Sequence, residues 1–106
     1  MTSSQNMNSK KLIIKPSASI EIEEVISYYS NINKTLAKKL EKEIRVCFTK
    51  ISKSPESFQF RYKIIRVIWL NKFPYGIYYV FDADDVSILA FWGEKEDVEN
   101  KLIKIK

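Results

Sequence analysis

Apolar residues in the first half of the chain recur at the spacing of a helix with one buried face. Ile22, Val25, Ile26 and Tyr29 follow the i, i+3, i+4, i+7 pattern, which predicts a first helix. Polar residues at 30–33 interrupt this pattern, because Ser and Asn favour turns and caps. A second apolar stripe then predicts a helix over residues 34–53. Its members are Leu36, Leu40, Ile44, Cys47, Phe48 and Ile51.

Local signals ahead of the first helix predict a strand and a helix start. Residues 12–14 form a short apolar run, which is typical of a strand. Pro16 follows, and proline is well tolerated at the first position of a helix. Ser17 or Ser19 is the expected N-cap. The short link at 30–33 predicts that the two helices form an antiparallel hairpin.

The second half of the chain changes character after the Ser-Pro-Glu-Ser segment at 54–57, where proline ends the helical pattern. Three runs rich in β-branched and aromatic residues follow, separated by turn-forming segments. The runs cover residues 64–70, 77–81 and 86–92, and the turns cover 71–76 and 82–85. These lengths predict three antiparallel strands in a meander.

Together these elements predict an α+β fold in the order β-α-α-β-β-β, with a two-helix antiparallel hairpin packed on a small antiparallel sheet. We assign residues 10–97 to a single domain. Residues 1–9 are polar and are expected to form a disordered extension. Residues 98–106 form a charged tail, either a short helix or a loose arm. The apolar runs are too short to span a membrane.

Composition limits the chemistry that this chain can perform. The 106 residues include no histidine and one cysteine, which excludes histidine-based catalysis, an internal disulfide and a Cys-rich zinc site. Cys47 lies on the apolar stripe of the second helix, so we expect a buried and inert thiol. A single thiol suits the reducing cytoplasm. The acidic run at 82–85 fits a polar turn better than a cation site, and we expect no metal and no cofactor.

The charge of the chain is positive and unevenly distributed. The net charge is +5, with 18 basic and 13 acidic residues. The excess lies before residue 82, whereas the segment after it is acidic. Such a balance favours an acidic protein or a polyanion as partner. It is a weak argument for nucleic acid, and we expect no sequence-specific DNA binding.

The order of these elements resembles that of a known family. The segment Lys72-Phe73-Pro74-Tyr75-Gly76-Ile77-Tyr78-Tyr79 is its most specific part. It lies between two predicted strands, downstream of the helical hairpin and the Ser-Pro-Glu turn. Over residues 11–97 the chain resembles the ParE/RelE superfamily of type II toxins, and it is closer to ParE-like members.

This resemblance implies a small basic bacterial toxin that inhibits growth and is encoded beside a neutralising antitoxin. The antitoxin would wrap the toxin with a helix and an extended segment, using apolar anchors in a groove where the hairpin meets the sheet. RelE-type members cleave mRNA on the ribosome, whereas ParE-type members poison DNA gyrase. The resemblance therefore leaves the gyrase and the ribosome as cellular targets.

Residues that match the catalytic positions of RelE-type toxins are not basic in this chain. The two central-strand lysines fall near Val67 and Trp69, and the arginine that follows the tyrosine falls on Gly76. Residues 92–97 contain no arginine, and the tail contains no tyrosine. This argues against mRNA cleavage, and we assign no catalytic residue. Residues 92–95 also lack the basic cluster that ParE-like members usually carry there.

Three hypotheses remain: a ParE-like toxin that acts by binding, a RelE-like ribonuclease that uses other basic residues, and an inactive homologue that only binds antitoxin. Candidate target-binding residues are Arg61, Arg66, Lys72, Trp92 and Lys95. Candidate antitoxin-binding residues are Ile22, Ile26, Tyr29, Lys38, Lys42 and Arg45. For most of these a structural role competes with the functional one, as a solvated helix face, a sheet edge or core packing. Two of Tyr75, Tyr78 and Tyr79 are expected in the core, and Trp69 and Trp92 are expected on adjacent strands.

Overall fold

The computed structural model describes residues 9–94 and 98–105. We number the elements in chain order. The strands are β1 (Lys11–Ile14), β2 (Phe60–Tyr62), β3 (Ile65–Trp69), β4 (Tyr75–Phe81) and β5 (Asp85–Gly93). The α-helices are α1 (Pro16–Ile32), α2 (Lys34–Lys53) and α3 (Val98–Ile105), and a 3-10 turn covers Pro55–Ser57. The predicted extension at 1–9 lies outside the described residues, apart from Ser9.

The helical hairpin forms as predicted, and α2 has the expected bounds. Asn33 separates the two helices in an extended conformation (φ −163°). Its N–H donates to the carbonyl of Tyr29 at 2.7 Å, closing α1. Its side-chain oxygen accepts from the N–H groups of Thr35 at 2.9 Å and Leu36 at 3.2 Å, capping α2. One asparagine therefore ends one helix and starts the next.

The prediction of a serine cap for α1 is wrong. The N-cap residue is Lys15, Pro16 occupies the first helical position, and no side chain of the described residues caps the helix. The cause is the proline itself, which disfavours the helical conformation in the residue before it and is preorganised for the first turn. Ser17 and Ser19 consequently lie inside the helix.

Within the part of the chain that the structure describes, the sheet has five strands in the order β1-β5-β4-β3-β2. The predicted meander of β3, β4 and β5 is confirmed as antiparallel, and β1 pairs with β5 in parallel. Strand β2 was not predicted. It has three residues, and the turn to β3 passes through Lys63 in the left-handed region (φ 52°). So short a strand, with no glycine at its turn, carries little sequence signal.

The two faces of the sheet are covered differently. The hairpin packs on one face, where Leu40, Ile51, Ile77 and Tyr79 are fully buried. On the other face a smaller cluster forms around Tyr78, which is also fully buried. Leu102 of α3 completes this cluster at 1% exposure, so the tail forms a helix rather than a loose arm. The two buried tyrosines and the buried Cys47 agree with the sequence analysis.

Two further expectations can be compared with the structure. Trp69 and Trp92 do not lie on adjacent strands: they flank β4, on β3 and β5, with Gly76 paired to both. The acidic run forms the polar turn as expected. The carboxylate of Asp82 accepts from the N–H groups of Asp84 and Asp85, both at 2.9 Å, and these bonds lower its pKa. None of the helices in the described residues is both long and apolar enough to cross a membrane.

Candidate docking groove

An open groove of about 630 Å³ runs between α2 and the outer edge of β3. Lys42, Val46 and Lys50 line it from the helix; they are spaced four residues apart and therefore share one face of α2. Ile68, Trp69 and Leu70 line it from the strand, and Phe58 lies on the segment between them. The groove thus has an apolar floor and two cationic side chains on one wall.

The edge of β3 beside this groove is only partly covered. Strand β2 reaches the first residues of β3, where the N–H of Val67 donates to Gln59 at 3.0 Å. Further along, the N–H of Leu70 donates to Tyr75 of β4 at 2.9 Å. Alternate residues of an antiparallel strand turn their peptide groups to opposite sides. The peptide group of Trp69 therefore points away from β4, toward the groove side of the strand.

Glu43 holds the far end of the groove in place. Its carboxylate accepts from the backbone N–H of Asn71 at 2.9 Å and of Lys72 at 3.1 Å. These bonds tie α2 to the loop between β3 and β4. Hydrogen bonds therefore join the two walls of the groove directly, in addition to the contacts of the core. Lys72 takes part in them through its backbone N–H, although the residue as a whole is exposed.

Trp69 covers the glycine at the start of β4. A Cβ on Gly76 would lie 2.9 Å from two ring carbons of Trp69 and 2.9 Å from Cγ2 of Val67. The absence of a side chain lets the indole lie across the strand, where it meets the ring of Tyr78 edge-on at 6.2 Å between centroids. Gly76 is needed here for close approach and not for its backbone angles.

Replacing Gly76 by alanine is expected to lower the free energy of unfolding by about 1–3 kcal/mol, as for other insertions into packed sites. Val67 is 1% exposed and has little room to move. Urea unfolding of Gly76→Ala measures the effect. In the Trp69→Ala background, the change Gly76→Ala should lower the free energy of unfolding by less than it does in the wild type, because the contact with the indole ring is already absent. A single variant within about 0.5 kcal/mol of wild type would refute this steric account.

Arg66, a candidate target residue, is engaged inside the protein. Its guanidinium donates to the carbonyls of Phe58 at 2.6 Å and Glu56 at 3.1 Å. It also lies 3.8 Å from the centre of the Phe60 ring and 5.5 Å from that of Phe81. Arg66 therefore connects the segment after α2 to the sheet through these hydrogen bonds and ring contacts.

Trp92, another candidate target residue, lies in the smaller cluster around Tyr78 and is 6% exposed. Its indole N–H donates to Oε2 of Glu21 at 2.8 Å, while Oε1 accepts from the N–H of Phe91 at 3.0 Å. Strand β1 pairs with β5 only as far as Ile88. The carboxylate of Glu21 on α1 thus accepts a hydrogen bond from the N–H of Phe91, which lies beyond the end of the β1 pairing.

The remaining candidate target residues are dispersed. Arg61 is half-buried next to Tyr78, and Lys72 is exposed in the loop between β3 and β4. Burial raises the pKa of Tyr78, and the positive charge of Arg61 partly opposes that rise. Lys95 lies outside the described residues. The structure therefore does not bring Arg61, Arg66, Lys72 and Trp92 together into one site.

The candidate antitoxin residues fall into two groups. Ile22, Ile26 and Tyr29 are half-buried and pack against the main core. Lys38, Lys42 and Arg45 are exposed on α2, and of these only Lys42 lines the groove. The sequence reasoning missed Val46, Lys50 and Phe58 as groove residues. Val46 was detectable: it is an apolar residue on the polar side of α2, with a lysine four residues away in each direction.

Two tyrosines of the main core, the buried Tyr79 and the half-buried Tyr75, have raised pKa values. Burial raises the pKa of Tyr79 to about 12, and its hydroxyl donates to the carbonyl of Pro55 at 2.6 Å. Burial and the neighbouring Tyr29 raise the pKa of Tyr75 to about 12 as well. Neither phenol is therefore suited to act as a base near neutral pH.

These shifts predict alkaline destabilisation. Because the pKa of each of these two phenols is raised, the folded protein keeps a proton that the unfolded chain loses near pH 10. Their contribution to stability is therefore fully present below about pH 10 and is lost as the pH rises toward 12. Urea unfolding between pH 8 and pH 12 measures the profile. The variant Tyr79→Phe should lose about 1 kcal/mol at neutral pH and show a shallower alkaline decline. An unchanged slope would contradict the assignment.

Comparison with known proteins agrees with this geometry at the level of the fold. No protein-family model matches the chain, and no curated protein matches its sequence. A solved structure described as "Chromosomal ParDE TA system from P. aeruginosa" matches with a TM-score of 0.70 and 14% identity. The match covers 81% of this chain and 97% of the other. The chain therefore shares its α+β fold with a chain of this ParDE structure, as its resemblance to ParE-like members predicts.

Proposed function

We propose that this protein is the toxin of a bacterial type II toxin–antitoxin pair and that its antitoxin binds in the groove between α2 and β3. The ParE-like fold, found in a ParDE system, is the observation that carries this proposal. The groove adds a surface of suitable chemistry, because apolar side chains at its floor lie beside lysines on its wall.

The antitoxin is expected to present apolar anchors and acidic residues. Lys42 and Lys50 line the groove, and Lys38 and Arg45 extend the positive charge along the exposed side of α2. An acidic partner would be drawn to this helix, and its affinity would come mainly from side chains buried in the apolar part. Ile22, Ile26 and Tyr29 pack against the core and would contribute less.

We further propose that the toxin acts by binding a cellular target and does not cleave RNA. Stabilising a phosphorane transition state requires positive charge around the scissile phosphate. In this chain the matching positions are Val67, which is buried, Trp69, and Gly76, which lies under the indole. DNA gyrase is the target that the resemblance favours, with Arg61, Lys72 and Lys95 as candidate contacts. The cytoplasm is the expected location.

The test is expression in a bacterial host with and without the small neighbouring gene. Expression alone should stop growth, and co-expression should restore it. Translation extracts supplemented with the purified protein should leave mRNA intact, and gyrase supercoiling assays should show inhibition. Cleaved mRNA would support the ribonuclease alternative. A tight complex with the neighbouring product, without any growth arrest, would identify an inactive homologue and refute the toxin.

A further inference from the structure

The face of the sheet opposite the hairpin is not fully covered. Helix α3 has 8 residues and is about 12 Å long, whereas β5 has 9 residues and extends about 30 Å. The helix buries Leu102 against this face and places Lys101 over Trp92, with Nζ 5.2 Å from the ring centre. The part of the face beyond Leu102 therefore lacks a covering helix among the described residues.

An apolar cavity of about 290 Å³ occupies this uncovered part. Ile65, Val80 and Leu89 form its floor on three neighbouring strands, Leu102 forms one side, and Tyr62 and Ile64 form the other. Its size is at the lower limit of small-molecule pockets and suits one bulky side chain. It lies across the sheet from the groove residues of α2, so it belongs to a separate surface.

The rim of the cavity carries positive charge. Lys63 lines the opening and lies 5.4 Å from the centre of the Tyr62 ring. It adopts a left-handed conformation (φ 52°), which costs about 1–2 kcal/mol in a residue other than glycine. This turn presents Ile64 to solvent at 72% exposure, directly beside the cavity. A strained turn that exposes an isoleucine next to an apolar cavity is unfavourable for stability alone.

We propose that this cavity is a second docking site, which takes a bulky apolar residue flanked by carboxylates on a partner protein. The apolar residue would fill the space above Val80 and Leu89, and Ile64 would close over it. The flanking carboxylates would face Lys63 at the rim. This site is separate from the groove, and its test does not depend on the proposed toxin activity.

The choice of an acidic protein segment follows from the chemistry of the rim and the cavity. Among the described residues that line the cavity, Lys63 is the only one with a charged side chain, so a basic partner would meet repulsion. A second copy of this chain is disfavoured for the same reason, because the chain is itself basic, with a net charge of +5. A fatty acid shares the apolar and anionic character, but it would leave the exposed Ile64 without a matching surface.

The experiment uses the full chain and three defined probes, followed through the methyl resonances of Val80, Leu89 and Leu102. The first probe is the peptide acetyl-Glu-Glu-Leu-Glu-Glu-amide, the second replaces each Glu by Lys, and the third is octanoate. We expect saturable shifts with the acidic peptide and binding at least about fivefold weaker with the basic one. Equal binding of both peptides, shifts with octanoate alone, or shifts that change on dilution without any probe would overturn the proposal.

Variants locate the binding. Ile64→Asp should weaken the acidic peptide at least about tenfold, since it adds a like charge at the opening of the cavity. Because Ile64 is exposed, the fold should tolerate the change. Ile32→Asp is the matched control, since Ile32 is 62% exposed on α1, and it should leave peptide binding unchanged. Val46→Asp in the groove should also leave it unchanged. Loss of binding in either control, or none in Ile64→Asp, would refute the site.

Discussion

Substituting Val46 by aspartate is expected to weaken the complex with the antitoxin by about 30-fold or more, the size typical of an interface hot spot. Val46 is 43% exposed and lies in the groove between two lysines. In the complex its side chain would be buried. The aspartate would bring a charge into the apolar part of the interface, where its desolvation is costly, and would repel an acidic antitoxin. Calorimetric titration of the purified pair measures the change.

Two controls make this prediction specific to the groove. Val46→Thr keeps the shape and adds no charge, and it should weaken the complex much less. Ile32→Asp introduces the same charge on α1, outside the groove, and should leave affinity near that of the wild type. An unaltered affinity for Val46→Asp, with correct folding confirmed by circular dichroism, would show that the antitoxin binds elsewhere.

The largest expected effect on stability comes from Leu40→Ala. Leu40 is fully buried in the cluster between the hairpin and the sheet. Truncation removes apolar contacts and leaves a cavity, which costs about 2–5 kcal/mol. For a domain of this size the melting temperature should fall by about 10–30 °C. Thermal and urea unfolding both measure the loss.

Leu36→Ala provides the comparison for Leu40→Ala. Leu36 is half-buried on the same helix and packs at the margin of the same cluster. Its truncation should cost clearly less, because water and neighbouring side chains can fill the space. Equal losses in the two variants would mean that the core does not centre on Leu40.

Helix positions were largely predictable because they depend on local spacing. The stripe from Leu36 to Ile51 contains enough turns for the 3.6-residue period to stand out, and Asn33 provides a start signal of known geometry. The start of α1 was misjudged because the restriction imposed by Pro16 outweighed the capping preference of the serines. Strand β2 was missed because three residues carry too little pattern.

The candidate site depended far more on contacts between distant residues. The sequence makes Arg66 and Trp92 candidates for binding a target. In the structure, Arg66 instead binds backbone carbonyls near Pro55, and Trp92 binds Glu21, 71 positions away. Glu21 could not be paired with Trp92 from the sequence, because no local rule relates them. The groove became visible only when α2 and the edge of β3 were placed side by side.

The amino-acid sequence by itself determined the two helices, the three-stranded meander and the absence of histidine chemistry, because periodicity, turn residues and composition act over short distances. The tertiary structure alone decided which apolar residues stay exposed, such as Val46 and Ile64. It also decided which charged side chains form hydrogen bonds within the protein, such as Glu21 and Arg66. The physical reason is that burial and pairing are set by the neighbours that folding brings together, and these neighbours lie far apart along the chain.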